Sequence, residues 1–145
     1  MNFLEMTQNH LLLMDGAMGT YYSQIYPLEE KISESANITQ PEQIERIHRE
    51  YIAAGAGLLR TNSFASHAEG LTGRPLHQAD DRQAVLQRIY DNVFQAYKIA
   101  QKAAGCADGK VWIAGDMGPV PANGAVTDDE IQSQYETMAD ALLDA

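Results

Sequence analysis

The chain has 145 residues, 45% hydrophobic and 21% charged, the composition of a globular domain with its own core, which excludes a disordered tract. Twenty acidic against ten basic side chains give a net charge of −10, a field that repels phosphate backbones and anionic headgroups and so excludes nucleic acid and membrane surfaces as expected partners. The single cysteine, Cys106, excludes an intrachain disulfide, supplies too few thiolates for a zinc site, and reads as a semi-buried thiol near a helix end.

The first ten residues hold no basic region of the kind that opens a signal peptide, and the apolar run at 11–14 is too short for a leader or a membrane span. A cytoplasmic chain is expected. The first predicted strand is 11–15, three leucines and a methionine ending in Asp15, with alternation placing Asp15 on the face of Leu11 and Leu13. A glycine-bearing turn follows, then a long insertion at roughly 21–38. The first helix is predicted to start at Thr39, because Thr39 and Glu42 have capping-box spacing and Pro41 suits a first turn. Ile44, Ile47, Tyr51 and Ile52 share one face of it. It should end near Ala54, with Gly55 and Gly57 supplying the positive φ of a C-cap.

A second strand is predicted at 57–62 and a second long insertion at 63–79. The second helix opens at Asp80 or Asp81 and buries Val85, Ile89, Val93, Tyr97 and Ala100. A third strand at 111–115 leads to a third helix, capped by Thr127 with Glu130 in capping-box spacing and continued by Ile131, Tyr135, Met138 and Leu142. Strand then helix, three times over, argues for parallel pairing with right-handed crossovers, which gathers the carboxyl ends of the strands on one edge. Ligands bind at that edge in such sheets. Here it carries Asp15, Gly16 and Ala17, then Thr61 and Asn62, then Asp116.

A carboxylate at the end of the first strand either holds a ligand ammonium or caps the turn made by Gly16, and Asp15 suits both. Gly16 and Gly19 let backbone amides approach a small anion; neither GxGxxG nor GxxxxGK[ST] is present, so a carboxylate fits better than a nucleotide. Thr61 and Asn62 offer uncharged groups that orient a small polar ligand or satisfy nearby loop amides. Arg60 beside them either binds a carboxylate or pairs with an acid, the pairing being favoured. The four histidines form no HxxxH or HExxH pair: His10 stands apart, His48 reads as a hydrogen-bonded packing residue, and His67 and His77 share the second long insertion, where a metal is the minor reading.

Taken together, LLLMDGAMGT, then NITQPEQIERIHREYIAAGAGLLRTNSF, then VWIAGDMGPVPANG followed by TDDEI resemble, in order and over nearly the whole chain, the N-terminal portion of the homocysteine S-methyltransferase family. The resemblance implies an α/β fold, about three βα units of a (β/α)8 TIM barrel, in which residues 1–145 form a partial homocysteine-binding domain that stops before the strands carrying the zinc ligands. It implies methyl transfer to the thiol of homocysteine to give methionine, with a zinc ion holding the thiolate and a cobalamin or folate methyl donor among the alternatives. Asp15 resembles the carboxylate that receives the amino-acid ammonium, Gly16 and Ala17 its backbone neighbours, and Thr61 and Asn62 the second-strand lining of the pocket. Arg60 departs from the pattern, standing where the family often has Glu or Gln, and Cys106 matches no zinc ligand. The segment is therefore expected to bind the amino-acid end of homocysteine and to be inactive alone. Two alternatives stand beside this: a non-catalytic module completed by self-association or another subunit, and a small α/β enzyme using Asp15 or Asp116 as general base.

Overall fold

The computed structural model describes residues 2–9, 11–27, 29–122 and 124–145, so that His10 lies outside the described residues. Seven α-helices and two short strands run in the order α1 (Phe3–Asn9), α2 (Met18–Ile25), α3 (Ala36–Thr39), α4 (Pro41–Ala53), β1 (Leu58–Arg60), α5 (Ala68–Thr72), α6 (Arg82–Ala104), β2 (Trp112–Ala114) and α7 (Asp128–Asp144) among the described residues. Single 3-10 turns occupy Ser33–Ser35 and Leu76–Gln78.

The two strands pair in parallel, Leu58 with Trp112 and Arg60 with Ala114. The predicted first strand forms one parallel bridge, Met14 to Leu58, flanked by Asp15 N donating to Leu58 O and Gly57 N to Leu13 O, each at 2.9 Å. Three chain segments thus lie side by side in parallel, as expected, with the first held by a single bridge. Leu11, Leu13 and Met14 are exposed along this segment, which leaves an unpaired edge on the side away from β1.

Leu59 is fully buried against the helices while Leu58 and Arg60 flank it on the open face, the alternation a strand imposes. The core lies between helices rather than inside the sheet. One cluster packs Leu71, Leu76, Ile89, Val93 and Met138 between α5, α6 and α7; the other packs Tyr22, Ile44, Ile47 and Ile99 between α2, α4 and α6. The long helix α6 serves both. Its Asp81 cap accepts from Ala84 N at 3.0 Å, as expected, and its stripe buries Ile89, Val93 and Ala100 with Val85 and Tyr97 half-buried.

Several expectations need correction. Thr39 does not cap α4: it ends α3, its hydroxyl donating to Glu30 Oε1 and Ser35 O, and Gln40 precedes Pro41 without a side-chain cap. The NIT turn is already helical, so the capping-box spacing there is coincidental. Gly55 does adopt φ +103° after α4, but Gly57, the residue before β1, does not have positive φ. The stretches at 21–38 and 63–79 are not open insertions; the first contains most of α2, the Ser33–Ser35 turn and α3, and the second contains α5 and the Leu76–Gln78 turn. Helix α1 was not anticipated either, although Asn2 and Glu5 cap it reciprocally at 2.8 and 3.0 Å.

Candidate functional site

The carboxyl ends of the three parallel segments and the start of α2 enclose a cleft of about 360 Å³. Its lining includes all five residues singled out from the sequence, Asp15, Gly16, Ala17, Thr61 and Asn62, together with Arg60 and Asp116. Chain topology explains the convergence: parallel segments deliver their carboxyl ends to one edge, and the turn after Asp15 folds α2 over it.

Asp15 is buried, its Oδ2 accepting from the Arg60 amide at 2.9 Å and its Oδ1 from Arg60 Nε at 3.2 Å. Burial pushes its pKa up, and the hydrogen bonds and charge of Arg60 only partly offset that cost. The carboxylate is thus underserved by its surroundings and gains from any further cation. Arg60 pairs with acids as favoured, Asp15 first and Asp116 more loosely at 3.8 Å. A Cβ at Gly16 would stand 2.8 Å from the Tyr51 hydroxyl, so a larger residue there would displace Tyr51, which donates to Ala17 O at 3.1 Å. Tyr51 thereby sets the turn that presents the Gly16–Gly19 backbone to the cleft. The first amides of α2 have no intrahelical partner and bring the positive end of its dipole to the same wall.

Thr61 and Asn62 are buried and bonded within the protein. The Thr61 hydroxyl shares a 2.7 Å hydrogen bond with Ser63 Oγ and accepts from Asp116 N at 2.8 Å, tying the ends of β1 and β2 together. Asn62 donates through Nδ2 to Ser33 O and Asn37 Oδ1, and its Oδ1 accepts from Ser33 Oγ. Behind it, Asn37 donates to Asn62 O and Asn92 Oδ1, and Asn92 donates to Glu34 O. The sequence reading did not single out Asn37, Asn92, Ser33 or Glu34. A signal existed for Asn92, an amide three residues after Ile89 and one before Val93 on the buried stripe of α6, where a polar group requires partners.

The histidines take separate roles. His48 is fully buried but, contrary to the hydrogen-bonded packing expected, neither ring nitrogen has a partner. His67 caps α5, its Nδ1 accepting from Gly70 N at 3.1 Å, and His77 Nδ1 lies 3.4 Å from Glu130 Oε2. Among the described residues no three His, Cys, Asp or Glu side chains converge as a metal site would require. Cys106 is exposed rather than semi-buried, 2.9 Å from an Arg49 nitrogen, in a separate depression with Gly55, Gly57 and Lys110 at the amino ends of the strands. The residues present do not fit a thiolate-held zinc: the lone sulfur donor is at the wrong end of the sheet. Among the described residues no helix is long and apolar enough to cross a membrane.

A parallel, helix-covered sheet with a polar cleft at its strand ends defines an α/β protein. The family model for homocysteine S-methyltransferase matches residues 12–145, and the chain belongs to that family. It is similar to methionine synthase of Mycobacterium tuberculosis, 28% identical over 155 aligned positions, and to methionine synthase of Mycobacterium leprae, 30% identical; each match covers 99% of this chain and 12% of the relative. Among solved structures it resembles the metallated form of the homocysteine methyltransferase MmuM from Escherichia coli, with a TM-score of 0.71, 22% identity, and coverage of 95% of this chain and 52% of that one. The oxidized form of the same protein gives a TM-score of 0.67. The chain thus spans about half the length of these solved relatives and about an eighth of the methionine synthases.

Proposed function

We propose that this chain forms the amino-acid end of the homocysteine pocket of a homocysteine S-methyltransferase, as about three βα units of a (β/α)8 barrel. The observation that carries the reading is the single cleft that gathers Asp15, Gly16, Ala17, Thr61 and Asn62 at the carboxyl ends of parallel segments. In it, Asp15 receives the ammonium, which relieves a buried and incompletely paired carboxylate. The Gly16–Ala17 backbone and the first turn of α2 face the carboxylate. Thr61 and Asn62 act through the walls they fix, because their side chains are held by protein partners.

Zinc activates the homocysteine sulfur in the family's chemistry, and the lack of a His, Cys, Asp or Glu cluster among the described residues supports reading residues 1–145 as a partial domain that is inactive alone. The methyl donor, cobalamin- or folate-borne in a methionine synthase, is chosen by parts of the protein other than this cleft. The test is calorimetric titration of homocysteine, with an assay of zinc content and methionine formation on the same sample. One weak binding event is expected, lowered about tenfold or more by Asp15→Asn, as for loss of a charged hydrogen bond. Stoichiometric zinc or methionine formation by this chain contradicts the proposal.

The exposed Leu11, Leu13 and Met14 favour one further component, a partner that covers the first segment, whether the remainder of a barrel or a second copy. If self-association into a binding module were the whole function, sedimentation would show a tight dimer that binds no homocysteine.

A further inference from the structure

The guanidinium of Arg60 is held along one edge only. Nε donates to Asp15 Oδ1 at 3.2 Å and Nη2 to Gly16 O at 3.0 Å, while the backbone amide of the same residue donates to Asp15 Oδ2. A guanidinium has five N–H donors in a planar fork, so this arrangement engages the Nε/Nη2 edge and leaves the Nη1/Nη2 edge unspent. The nearest acid to that outer edge, Asp116 Oδ2, is 3.8 Å from Nη1, too far to accept a hydrogen bond. The Arg60 side chain is 38% exposed, and Arg60, Asp116 and the start of α2 line the same cleft.

We infer that Arg60 is the specificity-determining residue for the carboxylate of the bound amino acid: its outer edge grips that carboxylate bidentately, while Asp15 and Asp116 take the ammonium. The inference rests on the reading of the cleft as an amino-acid site. Its physical basis is the match between a preoriented fork and a planar carboxylate, which a lysine at the same position would not reproduce. An α-amino acid carries its ammonium and its carboxylate on one carbon, which suits a cleft wall where Arg60 lies beside both Asp15 and Asp116. Tied to Asp15 and Gly16, the fork also loses little further freedom when the ligand arrives.

Homocysteine and 3-aminopropane-1-thiol, the same amine and thiol without the carboxylate, are titrated calorimetrically into the unmodified chain, Arg60→Gln and Arg60→Lys. The unmodified chain should prefer homocysteine, Arg60→Gln should lower its homocysteine affinity about tenfold or more while changing the aminothiol by less than about twofold, and Arg60→Lys should fall between. A preference for homocysteine that persists in Arg60→Gln overturns the inference and leaves the amino-acid reading standing. Equal losses for both ligands, with a lowered melting temperature, would mean that Arg60 only supports Asp15, which also overturns it. Failure of the unmodified chain to bind either ligand defeats the amino-acid reading itself, and this inference with it.

Discussion

Burial without a partner makes His48 a titrating weak point. Desolvation pushes its pKa down to about 4 from 6.5, so the unfolded chain takes up a proton on acidification that the folded chain refuses. The sign follows: stability is full above pH 6.5 and falls as pH drops from there toward 4, by up to about 3 kcal/mol from this residue. His67 acts in the same direction, since burial lowers its pKa and protonation of Nδ1 would remove the acceptor that caps α5. Urea unfolding at pH 8 and pH 5 should therefore show a marked loss for the unmodified chain and a smaller one for His48→Leu; equal losses would assign the acid sensitivity elsewhere. The apolar neighbours of His48 on α4 foretold its burial. They carried no information about its nitrogens, because partners come from other elements. Asp15 and Arg60 were legible for a comparable reason: a charged residue at the end of an apolar run belongs at a strand end, yet only the structure shows which acid Arg60 grips.

At the scale of elements, the helices with side-chain caps and long apolar stripes were readable, and those made by tertiary contact were not. Helix α7 starts at Thr127 with both halves of the capping box formed, at 3.3 and 3.2 Å. Thr127→Ala should cost about 1 kcal/mol in thermal unfolding, with little effect on ligand binding at the cleft, whose lining does not include it. Helix α2, by contrast, has the sequence MGTYYSQI, rich in aromatic and turn-forming residues, and no side-chain cap. It is fixed by burial of Tyr22 and by the Tyr22 hydroxyl donating to Gln43 Oε1 at 2.9 Å, a long-range contact no local pattern announces. The amide network behind the cleft was invisible for the same reason, its members coming from the Ser33–Ser35 turn, α3, β1's end and α6. Asn92→Leu should strip partners from Asn37, Ser66 and Glu34 O, costing about 2–3 kcal/mol in denaturant unfolding and weakening homocysteine binding through the displaced Asn62 wall. Unchanged stability would mean that the network is not under tension from burial.

For the whole molecule, order of elements was the readable quantity and extent was not. Three strand-like stretches running in parallel were expected and are present, but the first is held by a single bridge to β1. The exposed Leu11, Leu13 and Met14 on that segment predict concentration-dependent association, which sedimentation across a range of concentrations detects; Leu13→Lys should reduce it. Strict monomers at every concentration would show that this edge needs no cover. The central proposal concerns the cleft, as the place where an amino acid meets Asp15 and the start of α2. Mapping homocysteine onto the backbone amides by heteronuclear NMR tests it most directly. Shifts confined to residues 15–19 and 60–64, abolished by Asp15→Asn, are the predicted result; shifts centred on the Cys106 depression, or none at millimolar ligand, would contradict it.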